Sequence, residues 1–276
     1  MLGMGRMGVA LALKLIDGGH SVTVWNRSPG KAAEVVKAGA TEGSSIAEAV
    51  SRAELVFAVL TDDAAVRAVA LGRGGLRESL KDGSTYVECS TVSPQLTEEL
   101  SGIFSSFVAM PVIGGPAAVS KGQATYLAGG SEAAVAHLAP VLRVLEGPVR
   151  RYEAPGLANT AKLATNLLLL SGLVALAESC AVGRSGGLND SQITELLEGT
   201  VAPGLKSRFA AVLGGPWDGW WTTSLGAKDA WLAIDVARGG GYDLPLATVT
   251  RETYLRAALE GFADEDIAAV RHMYSH

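Results

Sequence analysis

The chain has 276 residues, 48% of them hydrophobic, enough for two domains with buried cores. A formal net charge of −5 argues against a nucleic-acid or anionic-membrane surface. Two cysteines, Cys89 and Cys180, exclude a disulfide framework and fit a reducing cytosol, and no Cys/His pair has zinc spacing, so no metal site is expected.

The first thirty-one residues organise the rest. Gly3-Met4-Gly5-Arg6-Met7-Gly8 fits G-x-G-x-x-G, and Val9 to Ile16 reads as an amphipathic helix stopped by Gly18 and Gly19. Ser21 to Trp25 then reads as a strand ending at Asn26-Arg27-Ser28, about twenty residues after the glycines, as a dinucleotide fingerprint requires. In such a unit the glycines permit a tight turn, close approach to a pyrophosphate and helix–strand packing, and the helix N-terminus favours the anion. The fingerprint should follow an apolar strand, yet only Met1 and Leu2 precede Gly3, so the natural chain is expected to begin several residues earlier.

Helices and strands then alternate. Pro29 to Ala38 is expected as a helix, Ala40-Thr41 as a brief strand, and Ser44 as the cap of a helix running through Val50. Glu54 to Leu60 is a continuous apolar strand, as in a parallel sheet buried on both faces, and Thr61-Asp62-Asp63 caps the next helix. Thr85 to Glu88 is a strand, and Ser93-Pro94 opens a helix. Phe107 to Met110 and Thr125 to Leu127 supply later strands, and Gly147-Pro148 closes a hairpin-like region. The alternation predicts a doubly wound α/β domain over residues 1–154. Its ligand crevice should lie at the strand ends Asn26-Arg27-Ser28, Leu60-Thr61 and Ser90-Thr91. Asn26 brings no charge to repel a 2′-phosphate, while Arg27, Ser28 and Lys31 offer donors to one, so NADP(H) is the expected cofactor.

From residue 155 to 276 the pattern is helical, with no convincing strand. Leu157 to Gly183 reads as one long helix, followed by helices at Asp190–Leu197, Gly204–Leu213, Thr223–Arg238, Leu246–Leu259 and Asp264–Met273. The longest apolar run, Leu163 to Ala177, is short for a membrane span and contains Thr165, Asn166 and Ser171. With no signal-peptide pattern at the start, a soluble cytoplasmic protein is expected. Lys162 and Asn166 share one helix face. A partly desolvated lysine there could exchange protons near neutral pH, or it could snorkel to the surface. Trp217, Trp220 and Trp221 in a Gly-containing loop could wall a pocket or bury the loop. His20, His137, His272 and His276 read as structural or solvated.

Together these motifs resemble the β-hydroxyacid dehydrogenases, the group of 3-hydroxyisobutyrate dehydrogenase and the glyoxylate/succinic semialdehyde reductases. The resemblance covers nearly the whole chain. It rests on the glycine turn, Trp25-Asn26-Arg27-Ser28, Ser90-Thr91-Val92-Ser93-Pro94, Pro111-Val112-Ile113-Gly114-Gly115, Gly156-Leu157-Ala158-Asn159-Thr160-Ala161-Lys162-Leu163 with Asn166, and Lys228-Asp229. It implies an N-terminal Rossmann domain, an all-α C-terminal domain beginning with a long interdomain helix, and a homodimer or homotetramer acting on a small-molecule substrate. Lys162 matches the catalytic lysine that exchanges a proton with the substrate oxygen while hydride moves at the nicotinamide, and Asn166 would hold it and the substrate. Thr91 would lie beside the nicotinamide ribose, Leu60 and Thr61 along the adenosine side, and Lys228 would contact the cofactor. Ile113, Gly114, Gly115, Asp229 and Trp221 match substrate-side positions. The family usually has serine where this chain has Ile113, which removes a donor to a substrate carboxylate and favours less polar substrates. That local pattern leans toward imine reductases, which generally lack a lysine at the Lys162 position. A catalytically silent NADPH-binding protein is the rival of another class.

Overall fold

A computed structural model describes residues 1–185, 187–198, 203–239 and 243–274. Two compact units result, Met1–Lys162 and Leu163–His276.

In the first unit, α1 (Arg6–Asp17) buries Gly8, Leu11, Ala12 and Leu15, the stripe its apolar periodicity lays out. Gly19, at φ +82, ends it, and His20 N returns to Leu15 O. The chain continues through β1 (Thr23–Val24), α2 (Ala33–Lys37), β2 (Thr41–Glu42) and α3 (Ile46–Val50). Ser45, not Ser44, caps α3 by accepting from Glu48 N, because Ser45 is the residue with extended backbone beside the first turn. Ser44 instead donates from its amide and hydroxyl to the Glu48 carboxylate. Then follow β3 (Leu55–Ala58), α4 (Asp63–Leu71), α5 (Leu76–Ser79), β4 (Thr85–Glu88), α6 (Pro94–Ile103), β5 (Phe107–Ala109), β6 (Val112–Ile113), α7 (Pro116–Ser120), β7 (Thr125–Gly129), α8 (Glu132–His137), α9 (Ala139–Leu145) and β8 (Val149–Tyr152).

The main sheet has the order β3-β4-β5-β7-β6, with β8 also pairing β7. β3, β4 and β5 are parallel, whereas β7 runs antiparallel to β5 and β6. The hairpin-like region expected before Gly147-Pro148 is a crossover instead: α8 and α9 separate β7 from β8, and the two strands pair in parallel. A parallel pair cannot be joined by a tight turn.

Along the central strands, side chains alternate between two apolar clusters. Phe57, Val87 and Val108 join one; Val56, Ala58, Tyr86, Phe107 and Ala109 join the other. That period of two, apolar on both faces, is the signature of a sheet covered on both sides. Met1 and Leu2 fill the central strand position. Leu2 bridges Trp25 on one side and Ala58 on the other, with Leu2 N donating to Phe57 O at 2.7 Å and Trp25 N to Met1 O at 2.9 Å. This joins the β1–β2 pair to the main sheet. A cavity of about 760 Å³ lies beside Met1, lined by the first residues of β1, β2 and β3 and by His20 and His137. It sits at the amino ends of the strands, the wrong end for a ligand of this sheet type.

Helix α10 (Pro155–Ser185) begins in the first unit and continues into the second, so the division between units falls inside it. The second unit adds α11 (Asp190–Glu198), α12 (Pro203–Lys206), α13 (Phe209–Gly214), α14 (Thr223–Gly239) and α15 (Pro245–Ala257). The single helix expected over Gly204–Leu213 is two helices, with Arg208 at the N-cap of α13 in a non-helical conformation. After α15 a π-turn leads to Gly261 at φ +106, and the last expected helix is a 3₁₀ segment, Ile267–Tyr274. The core gathers Leu170, Leu173, Val174, Ile193, Phe209, Val212, Trp221, Tyr254 and Ile267. Among the described residues, Pro155–Leu176 alone is long and apolar enough to cross a membrane by composition. It buries the polar Asn159, Lys162, Asn166 and Ser171, as a core helix does. The reading of His276 lies outside the described residues.

Candidate active site

The glycine turn has the shape of an anion cradle. Gly3 sits at φ +93, and a Cβ on it would stand 2.2 Å from Val59 O. A Cβ on Gly8 would stand 2.0 Å from Gly3 O, so the third glycine is required for α1 to approach the turn. A Cβ on Gly5 would meet nothing within 4 Å. Its bareness therefore has no internal packing reason, and the space fits a ligand approaching the backbone. Gly5 is the N-cap of α1 and brings no side chain to the first-turn amides, which stay available to a phosphate. These residues fit a dinucleotide.

Asn26 shapes this turn. Its Oδ1 accepts from Met4 N at 2.8 Å and its Nδ2 donates to Ser28 O at 2.9 Å. An aspartate could make only the first bond. Met4 is buried and Met7 half-buried beneath the turn, while Arg6, Arg27, Ser28 and Lys31 are exposed around it.

At the carboxyl ends of β3 and β4, Leu60 N donates to Ser90 Oγ at 2.7 Å, and Thr61 is exposed. Asp62 caps α4 by accepting from Ala65 N at 2.7 Å. Thr91 is half-buried in a turn fixed on both flanks. Ser90 N donates to Glu88 at 2.8 Å, Val92 N to Asn159 Oδ1 at 3.3 Å, and Ser93 N to Asp63 at 2.9 Å. Sequence reasoning missed Glu88, Asn159 and Asp63 in this role. A further carboxylate, Glu98, accepts from Gly156 N at 2.7 Å at the start of α10.

Lys162, one turn ahead of Asn166 on α10, is only 8% exposed, which removes the snorkelling alternative. In the second unit Asn166 Nδ2 donates to Asp229 Oδ2 at 2.8 Å, and Asp229 Oδ1 pairs with Lys228 Nζ at 2.7 Å. Asp229 is 4% exposed, so Lys228-Asp229 is not the surface pair that adjacency indicates. A buried carboxylate with a cationic and an amide partner locks the Asn166 rotamer.

The remaining expected residues separate. Ile113 is half-buried on the apolar cluster that also holds Ala158 and Ala161 of α10. Gly114 turns the chain at φ +112, and Gly115 is the N-cap of α7. Trp221 is 5% exposed in the helical core, stacked on Trp220 and 5.7 Å from the Arg208 guanidinium. Trp221 belongs to the second unit's core, with Trp217 and Trp220 packed against it.

A glycine turn feeding a bare helix N-terminus, at the carboxyl edge of a doubly wound sheet, followed by a helical unit, defines a pyridine-nucleotide oxidoreductase. The profile of the NAD binding domain of 6-phosphogluconate dehydrogenase matches residues 1–149, and that of the NAD-binding domain of NADP-dependent 3-hydroxyisobutyrate dehydrogenase matches residues 156–274. The chain belongs to the β-hydroxyacid dehydrogenase family. It is 29% identical to the uncharacterized oxidoreductase YfjR of Bacillus subtilis, covering 98% of this chain and 97% of that one. It is 28% identical to glyoxylate/succinic semialdehyde reductase 1 of Arabidopsis thaliana, covering 98% and 95%. The structure of 3-hydroxyisobutyrate dehydrogenase from Salmonella typhimurium superimposes with a TM-score of 0.88 at 26% identity, covering 99% and 98%.

Proposed function

We propose that this protein is an NADPH-dependent reductase of a small aldehyde or keto acid, able to run in reverse on the hydroxy acid, with Lys162 as general acid/base. The observation that carries it is a buried lysine one helical turn before an asparagine whose rotamer is locked by Asp229. Bound NADPH supplies the hydride. The carbonyl carbon gains it, negative charge develops on oxygen, and an ammonium stabilises that charge and delivers the proton. Thr91 lines the nicotinamide end, Gly114 and Gly115 amides and Ile113 form the substrate wall, and Lys228 serves the cofactor. The glyoxylate/succinic semialdehyde reductase relative supports the substrate class.

Ile113 supports a second reading, reduction of a cyclic imine, because its half-buried apolar side chain offers no hydroxyl to a carboxylate. NADPH oxidation on succinic semialdehyde, glyoxylate and a cyclic imine separates the readings. Faster turnover of the aldehydes is expected. Imine turnover alone would replace the first reading with the second, and no turnover on any of them would favour a silent NADPH-binding protein.

NADPH is chosen over NADH for Arg27, Ser28 and Lys31, exposed beside the Asn26 turn. Arg27→Ala should weaken NADPH about tenfold or more and leave NADH nearly unchanged, read by fluorescence titration. Tighter binding of NADH to the unaltered protein would refute the assignment. A cytoplasmic homodimer or homotetramer is the proposed assembly, with no nucleic acid or membrane partner. Exposed Leu168, Trp231, Leu246, Val249 and Leu259 in the helical unit support it; a monomer by light scattering would contradict it.

A further inference from the structure

Glu88 is the last residue of β4 and is fully buried. It shares a strand face with Tyr86, whose hydroxyl donates to its Oε2. Its Oε1 accepts from Ser90 N at 2.8 Å, and Ser90 Oγ accepts from Leu60 N at 2.7 Å. One carboxyl therefore ties the ends of β3 and β4 together through Ser90. The far flank of the same turn is held by other groups, Asn159 on Val92 and Asp63 on Ser93. Thr91 lies between the two sets of clamps. The near clamp is a fully buried carboxyl.

The titratable groups around Glu88 are Tyr86 from its own strand, Cys89 just after it and Asp63 from the start of α4. Burial pushes the Glu88 carboxyl up to about 7, and the Asp63 charge adds to this, while donors from Ser90 and Tyr86 oppose it. Burial pushes the Tyr86 hydroxyl and the Cys89 thiol well up, so both stay neutral. Ionised, Glu88 has both oxygens free to accept from Tyr86 and Ser90. Protonated, Glu88 donates from one oxygen, so the Tyr86 hydroxyl must turn to accept, and Ser90 N is left with a neutral, weaker acceptor.

We propose that Glu88 is a positioning residue for the cofactor, which in its ionised form fixes Ser90 and so preorganises the Ser90–Ser93 turn around Thr91. The inference rests on the reading of that turn as the nicotinamide end of an NADPH site. It makes NADPH affinity depend on a proton that neither cofactor nor substrate touches.

The test compares the full chain with Glu88→Gln, which keeps the volume and the acceptor oxygen and cannot ionise. The ratio of the two NADPH dissociation constants is followed from about pH 6 to about pH 8, where a charged acceptor is worth roughly tenfold. The ratio cancels titration of the cofactor's own phosphate. Unaltered protein should gain about tenfold over the variant as pH rises. Tyr86→Phe, which removes one donor to the carboxylate, should move the midpoint to higher pH.

A second readout needs no cofactor. The unfolded carboxyl ionises near 4.5 and the folded one near 7, so the folded state binds more protons in that window. Stability from this group is therefore full below the lower value and is lost as pH rises through the higher one. The unaltered protein should melt progressively below Glu88→Gln as pH rises from about 4.5 to about 7, with the difference levelling off above that. NADPH binding with a flat ratio overturns the proposal alone. Absence of NADPH binding at every pH overturns the cofactor reading and the proposal with it.

Discussion

Replacing Lys162 by alanine is expected to lower NADPH-dependent turnover about a thousandfold while leaving the NADPH dissociation constant within a few fold. The asymmetry follows from position. Lys162 is on α10, whereas the glycine turn and the β1 end, proposed to hold the nucleotide, are built from residues before Lys31. Truncation leaves those backbone groups untouched and removes the proposed donor of the proton to the substrate oxygen. A drop in turnover matched by an equal loss of NADPH affinity would place Lys162 in cofactor binding. Unchanged turnover would dismiss it from the chemistry.

The second large effect divides two glycines that look alike in the fingerprint. Gly8→Ala should both destabilise the fold and abolish cofactor binding, since its Cβ would stand 2.0 Å from the Gly3 carbonyl oxygen and only backbone movement can relieve that. A cost of about 3 kcal/mol is expected, or roughly 6–12 °C in melting temperature. Gly5→Ala should leave the melting temperature unchanged, because its Cβ meets nothing within 4 Å. It should still weaken NADPH more than about tenfold, because that methyl occupies the space through which the pyrophosphate reaches the helix N-terminus. Equal effects of the two substitutions on melting, or undiminished NADPH affinity in Gly5→Ala, would contradict the cradle geometry.

Much of the fold was legible because its signals are dense. Glu54 to Leu60 reads as a buried parallel strand from its unbroken apolar run, and β3 lies inside that stretch, apolar on both faces. The elements that escaped are weakly marked. β8 is Val-Arg-Arg-Tyr, mostly exposed, with neither an apolar run nor a clean alternation. α8 and α9 carry small residues and a proline, which in the first turn of α9 is compatible with a helix but reads in isolation as a break. Without those helices, Gly147-Pro148 looks like the turn of a hairpin.

The site was legible where backbone constraint writes itself into residue type. Glycines that must be bare and an asparagine that must both donate and accept are visible in a sequence. Burial is not. Lys228-Asp229 reads as a solvated pair until α14 is seen to turn Asp229 inward onto Asn166. The burial of Trp221 against Trp220 and Arg208 is likewise invisible in the sequence. Glu88 reads as an ordinary strand end, since its link to Ser90 and Leu60 depends on sheet register.

The central claim is that this chain moves a hydride from NADPH to a carbonyl carbon while Lys162 supplies the proton. Turnover of succinic semialdehyde with NADPH deuterated on one or the other face of the nicotinamide C4 tests it directly. The account predicts that one labelled cofactor places a single deuterium on the carbon bearing the new hydroxyl, that the other places none, and that Lys162→Ala nearly abolishes the transfer. Product carrying no deuterium from either cofactor would contradict it.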